Sequence, residues 1–74
     1  MLVQIRIFRD EDDVWCASGV DHGIHTQGAT LDELHANIDE VAQLHFEEEL
    51  AAGKTIDILI LSPRELAGAP SARR

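Results

Sequence analysis

The 74-residue chain has a single cysteine, two prolines, no tyrosine and only three aromatic residues in all, one tryptophan and two phenylalanines. With Cys16 alone, no intrachain disulfide can form, so the chain reads as made for a reducing compartment and a cytoplasmic location is expected. So few aromatics leave no stacking surface for an RNA-binding sheet. Basic residues are also scarce: 6 Lys+Arg stand against 14 Asp+Glu, a net charge of −8. A surface this negative repels phosphate, which argues against direct nucleic-acid reading or binding to an anionic membrane. The one adjacent basic pair is Arg73-Arg74. No apolar run approaches the roughly 20 residues needed to cross a bilayer. No signal peptide is expected either, because Leu2 to Phe8 alternates and is interrupted by Arg6. Length leaves room for one domain, and a chain this short buries only about 60 % of its unfolded surface, so a second subunit is a natural source of further stability.

What is present reads as an ordered series of elements. Leu2 to Arg9 alternates at period two, with Val3, Ile5 and Ile7 on one side and Gln4 and Arg6 on the other, which predicts a half-buried strand. The acidic run Asp10-Glu11-Asp12-Asp13 breaks it, and Val14-Trp15-Cys16-Ala17 restores strand character, so a hairpin is expected. After the loop Gly19-Val20-Asp21-His22-Gly23, a short strand Ile24-His25-Thr26-Gln27 closes at Gly28. Thr30-Leu31-Asp32-Glu33 has the form of a capping box. The helix it starts carries Leu31, Leu34, Ile38, Val41 and Ala42 along one stripe, with His45 in that same stripe, and is expected to run to Ala52 before Gly53.

Thr55 to Leu61 is the most hydrophobic segment and predicts an interior strand, apolar on both faces and parallel to the first. Ser62-Pro63-Arg64-Glu65 predicts a short helical turn, and the rest of the tail offers nothing apolar to dock. The chain thus divides into a domain over 1–62 and a short frayed tail over 63–74. Its order is β-β-β-α-β, an α+β fold with one sheet and one helix packed on one face, the helix serving as a right-handed crossover. On that reading Leu2, Phe8, Leu59 and Leu61 lie on the other face with nothing to cover them, and a homodimer or higher homo-oligomer is expected there.

From Gly23 through Leu34, and in its order of elements from Leu2 to Leu61, the chain resembles the HicB-like antitoxin superfamily, which includes small orphan domains of unknown function. Those proteins pass from a hairpin with an aromatic near the position of Trp15, through a Pro-Asp-Leu-Pro-Gly loop, to a helix opened by Gly-x-Thr-x-x-Glu. Here Gly23 falls at the loop glycine, Gly28 and Thr30 at the start of the helix and Glu33 at the capping glutamate. The loop lacks both family prolines. The DNA-binding extension usual after the last strand is not expected in the short tail. The resemblance implies a partial ribonuclease H-like fold without catalytic residues, and a partner that is a small basic ribonuclease toxin.

Candidate sites follow from charge and from the four histidines. Asp10, Glu11, Asp12 and Asp13, together with Glu47, Glu48 and Glu49, could steer and hold a basic partner, although such runs also serve as solvated surface. The glutamates, placed late in a helix, would oppose its dipole, an arrangement that points to use. His22 and His25, with Cys16 on a neighbouring strand, offer zinc-ligand chemistry, but a lone His-x-x-His without a paired motif reads as ordinary loop histidines. No metal or cofactor is expected. His45 reads as a core or interface residue. No nucleophile elbow or phosphate-binding loop is present, and the first strand offers Gln4 and Arg6 where metal-binding carboxylates would be needed. The expectation is a non-enzymatic interaction module, antitoxin-like, or alternatively an orphan dimeric structural or regulatory domain with no toxin partner.

Overall fold

The computed structural model describes residues 1–63. Strands β1 (Leu2–Arg9), β2 (Trp15–Gly19), β3 (His25–Gly28) and β4 (Asp57–Leu61) form one sheet in the order β3-β2-β1-β4. β1 pairs antiparallel with β2, and β2 antiparallel with β3, whereas β4 lies parallel to β1. Between β3 and β4 come α1 (Leu31–His45) and a short α2 (Glu47–Ala51). This is the α+β architecture that the pattern predicts.

The alternation of β1 sends Val3, Ile5 and Ile7 to the helical side, where they are essentially inaccessible. They meet Ala17 from β2, Ile24 from the loop, and Leu34, Ile38, Ala42 and Phe46 from the helical segment. The capping box forms as the sequence suggests: Thr30 Oγ1 accepts from the Glu33 N–H at 3.1 Å, and the Glu33 carboxylate reaches back to the Ala29 N–H. Gly28 is required by this junction, since a Cβ there would lie 2.7 Å from the Leu34 nitrogen and 2.9 Å from its Cα. At the other end Gly53 takes φ 83°, a left-handed value that ends α2 with no Cβ penalty.

Three expectations need correction. The helix does not run unbroken to Ala52. It stops at His45, and Phe46 leaves helical geometry at φ −108°, ψ 30°. That break lets the Phe46 ring close the end of the core at 4 % exposure, while His45, expected within the apolar stripe, is exposed. Second, the last strand starts at Asp57 instead of Thr55 and is an edge strand, not an interior one. β2 already occupies the other side of β1, so a parallel return can only add to the outside. Third, the third strand begins at His25, because Ile24 is drawn into the core ahead of it. The second half of the proposed turn, Arg64-Glu65, and the tail beyond it lie outside the described residues.

Candidate functional site

The register sorts the side chains into two surfaces of different chemistry. Leu2, Gln4, Arg6 and Phe8 of β1 face away from the helices, beside Cys16 and Ser18 of β2, His25 and Gln27 of β3, and Asp57, Leu59 and Leu61 of β4. Of the expected oligomer residues, Leu2 is 59 % exposed, Leu59 44 % and Phe8 40 %, and Leu61 is half-buried. The sheet therefore does bring these four onto one open face. Arg6 lies among them, paired in register with Leu61 on one side and Ser18 on the other. Two shallow depressions of about 590 and 560 Å³ flank Arg6 and Phe8 on this face.

The expected acidic site is not brought together. Asp10 to Asp13 lie at the end of the sheet where Arg9, Trp15 and Gly28 are aligned and where α1 begins. Glu47, Glu48 and Glu49 come after α1, whose 15 residues separate the two clusters by about 22 Å. Asp10 is also occupied structurally, its Oδ1 accepting from the N–H groups of Asp12 at 2.8 Å and Val14 at 3.0 Å. Asp13 sits at φ 62° in that turn, 3.8 Å from the Arg9 guanidinium in an exposed pair. Glu11 and Asp12 are left as exposed acids at the tip. The glutamate trio, in turn, occupies the first turn of α2, where carboxylates suit the helix dipole, so the expected conflict with it is absent.

A different acidic surface emerges that run-counting along the chain misses. Asp32, Glu33, Asp39, Glu40, Glu47, Glu48 and Glu49 all belong to α1 and α2, and these helices carry no lysine or arginine. The signal lies in the sequence as a missing charge sign over residues 31–51 and not as a cluster. The described basic residues, Arg6, Arg9 and Lys54, are all outside the helices.

The candidate zinc ligands are dispersed. His25 projects from β3 on the open face, whereas the His22 ring packs edge-on against His45 and Phe46, with centroids 5.9 and 5.2 Å apart. The Cys16 thiol points to the Asp10 carboxylate, Sγ to Oδ2 3.9 Å, and its pKa is raised, first by desolvation and then by the Asp10 charge and hydrogen bond. Among the described residues no group of His, Cys, Asp and Glu is placed to hold a metal ion. Of the four motif residues, Gly28, Thr30 and Glu33 build the helix start, while a Cβ at Gly23 would meet nothing within 4 Å. The close-packed glycine is Gly19, at the end of β2, where a Cβ would lie 2.7 Å from the His22 carbonyl oxygen. Trp15 packs at the rim of the core beneath the Arg9 guanidinium, 5.1 Å from its ring.

No family model, curated protein or solved structure matches this chain. No helix among the described residues is long and apolar enough to cross a membrane.

Proposed function

We propose that this chain is a non-catalytic, cytoplasmic protein-interaction module that self-associates and holds a small basic protein against its acidic helical layer. The observation that carries the reading is the partition of charge: α1 and α2 present seven named carboxylates, Asp32 through Glu49, and no cation to neutralise them. A layer of one sign on a rigid scaffold accelerates capture of an oppositely charged partner and excludes acidic ones. In its most specific form the partner is a small basic ribonuclease and the module its antitoxin, as the resemblance to HicB-like domains implies. A second reading, an orphan dimeric structural or regulatory domain, needs only the exposed leucines and Phe8 of the sheet and no basic partner.

Affinity co-purification from the native host at low and high salt separates the two. The first reading expects a basic protein of similar size, retained at low salt, released steeply as salt screens the layer, and lost in a Glu40→Lys/Glu47→Lys variant. A partner retained equally by that variant, or none at low salt, would reject acidic capture and leave the orphan reading. A short adjacent gene for a basic protein with a catalytic histidine would favour the antitoxin form.

A further inference from the structure

We propose that two copies of this chain join their β4 edges antiparallel, Leu59 against Leu59 of the second copy, into one continuous sheet. The inference rests on the self-association proposed above and names the surface that achieves it.

Backbone geometry selects the register. The Asp57 N–H donates to the Met1 carbonyl at 2.8 Å, so the main-chain groups of Asp57, Leu59 and Leu61 turn toward β1. Those of Ile58 and Ile60 then point outward, from an edge that no other described strand occupies. In an antiparallel pair, facing residues are either both hydrogen-bonded to each other or both not. Ile58 must therefore face another outward residue, and setting it against Ile60 of the second copy uses the whole strand and places Leu59 on the two-fold axis. The same parity keeps both helical layers on one side of the joined sheet.

Side chains agree with this edge and not with stacking of the open faces. After Asp57 the strand Ile58-Leu59-Ile60-Leu61 has no charge, proline or bulge, the devices that normally guard a sheet edge. The α1 backbone runs close to β3 and β2 but not to β4, so Ile58 and Ile60 are only half-buried at the margin of the core, and a cleft of about 130 Å³ is left between Asp39, Ala42, Leu50 and Ile58. Across the pair, Asp57 faces Leu61 of the second copy, whose neighbour on β1 is Arg6. Those two Cα atoms would be about 10 Å apart, two strand spacings, within reach of an arginine laid over Leu61. Neither Asp57 nor Arg6 has an ion-pair partner among the described residues of its own chain. Stacking the open faces would instead cover the Arg6 guanidinium of each copy without an ion-pair partner from its own described residues.

The test uses the full chain with Cys16→Ser, a background in which the only thiol is the one introduced. Leu59→Cys should form an intermolecular disulfide within minutes of mild oxidation, since facing residues of a non-hydrogen-bonded pair have Cα atoms about 4.5 Å apart, within disulfide range. Leu2→Cys, exposed on the same face but a strand away from the axis, should not. In sedimentation of the otherwise unmodified chain, Leu59→Glu should weaken the dimer at least tenfold. Asp57→Arg should weaken it severalfold, and Arg6→Asp added to it should restore it. A dimer that cross-links through Leu2→Cys and not Leu59→Cys overturns the edge geometry while keeping self-association. A monomer at several hundred micromolar overturns both.

Discussion

The two edges of the sheet are built in opposite ways. At β3 the edge is short and polar, α1 packs along it, and the Asn37 side-chain amide donates to the outward carbonyl of Gln27 at 2.7 Å. At β4 the strand is apolar on both sides after Asp57, the α1 backbone stays away from it, and Ile58 and Ile60 are only half-buried. Connection length accounts for the difference. Only Ala29 and Thr30 separate β3 from α1, so the helix must lie back over the strand it has just left. β4 is reached through α2 and a further link, and it docks at the periphery. A crossover helix thus protects the strand it follows from closely, and the returning strand is left open to a neighbour.

The largest expected effect tests whether the covered side holds the stability. Leu34→Ala removes a side chain with no exposure, packed where α1 meets the sheet. It should cost about 3 kcal/mol, against about 1 kcal/mol for Ile60→Ala, which is half-buried. Urea unfolding of both, made in the Leu59→Glu background so that assembly does not contribute, gives the comparison. Equal losses would mean that β4 is as much a part of the core as the side of the sheet covered by α1.

Next comes the junction that creates the asymmetry. Gly28→Ala forces a Cβ against the backbone of Leu34, which cannot yield as a flexible side chain would. A loss of about 1–3 kcal/mol is expected. Gly23→Ala, where a Cβ meets open space, should stay within about 0.5 kcal/mol of the parent in thermal unfolding. A Gly28→Ala variant that unfolds with the parent would show that the short β3–α1 connection is not what fixes the helix over β3.

These two glycines mark how far the sequence could be read. Signals that act within a few residues were legible: the Thr30–Glu33 cap, the alternation of β1, the left-handed Gly53. The β-β-β-α-β order followed, and with it the exposed face of Leu2, Phe8, Leu59 and Leu61. Two-sided hydrophobicity in Ile58-Leu59-Ile60-Leu61 records that a strand resists water, but not whether its neighbour is its own chain, so edge and interior placement could not be separated. Phe46 was illegible for a similar reason. The residues around it are sound helix formers, and only the position of the core's end makes breaking there worthwhile. Grouping carboxylates by runs along the chain does not show that α1 carries the two clusters to opposite ends, nor that the acids of α1 and α2 share one layer.

A smaller effect probes the guard on the β3 edge. Asn37→Ala leaves the Gln27 carbonyl to water and should cost about 0.5–1.5 kcal/mol. Amide exchange completes the contrast between the edges. Protection at Ile58 and Ile60 should rise with protein concentration as their outward N–H groups find the second copy, while His25 and Gln27, on the guarded edge, should exchange at a rate independent of concentration. Concentration-dependent protection at β3 would reverse the assignment of the open edge.

The smallest effect reads the open face itself, through Cys16, which lies between Phe8 and Gln27 in register and so between the two edges. Its raised pKa leaves less thiolate near neutral pH, and iodoacetamide should react slowly there. Asp10→Asn keeps an oxygen for the turn N–H groups but removes the charge and the carboxylate acceptor facing the thiol, so the pKa falls and alkylation at pH 7.5 should quicken about two- to threefold. Desolvation, the larger cause, is untouched, which keeps the gain modest. Repeated across a hundredfold range of protein concentration, the rate should stay flat, because edge-to-edge assembly leaves Cys16 facing solvent in both copies. If alkylation slows as the dimer forms, the open faces are stacking on one another, and β4 is not the edge that joins them.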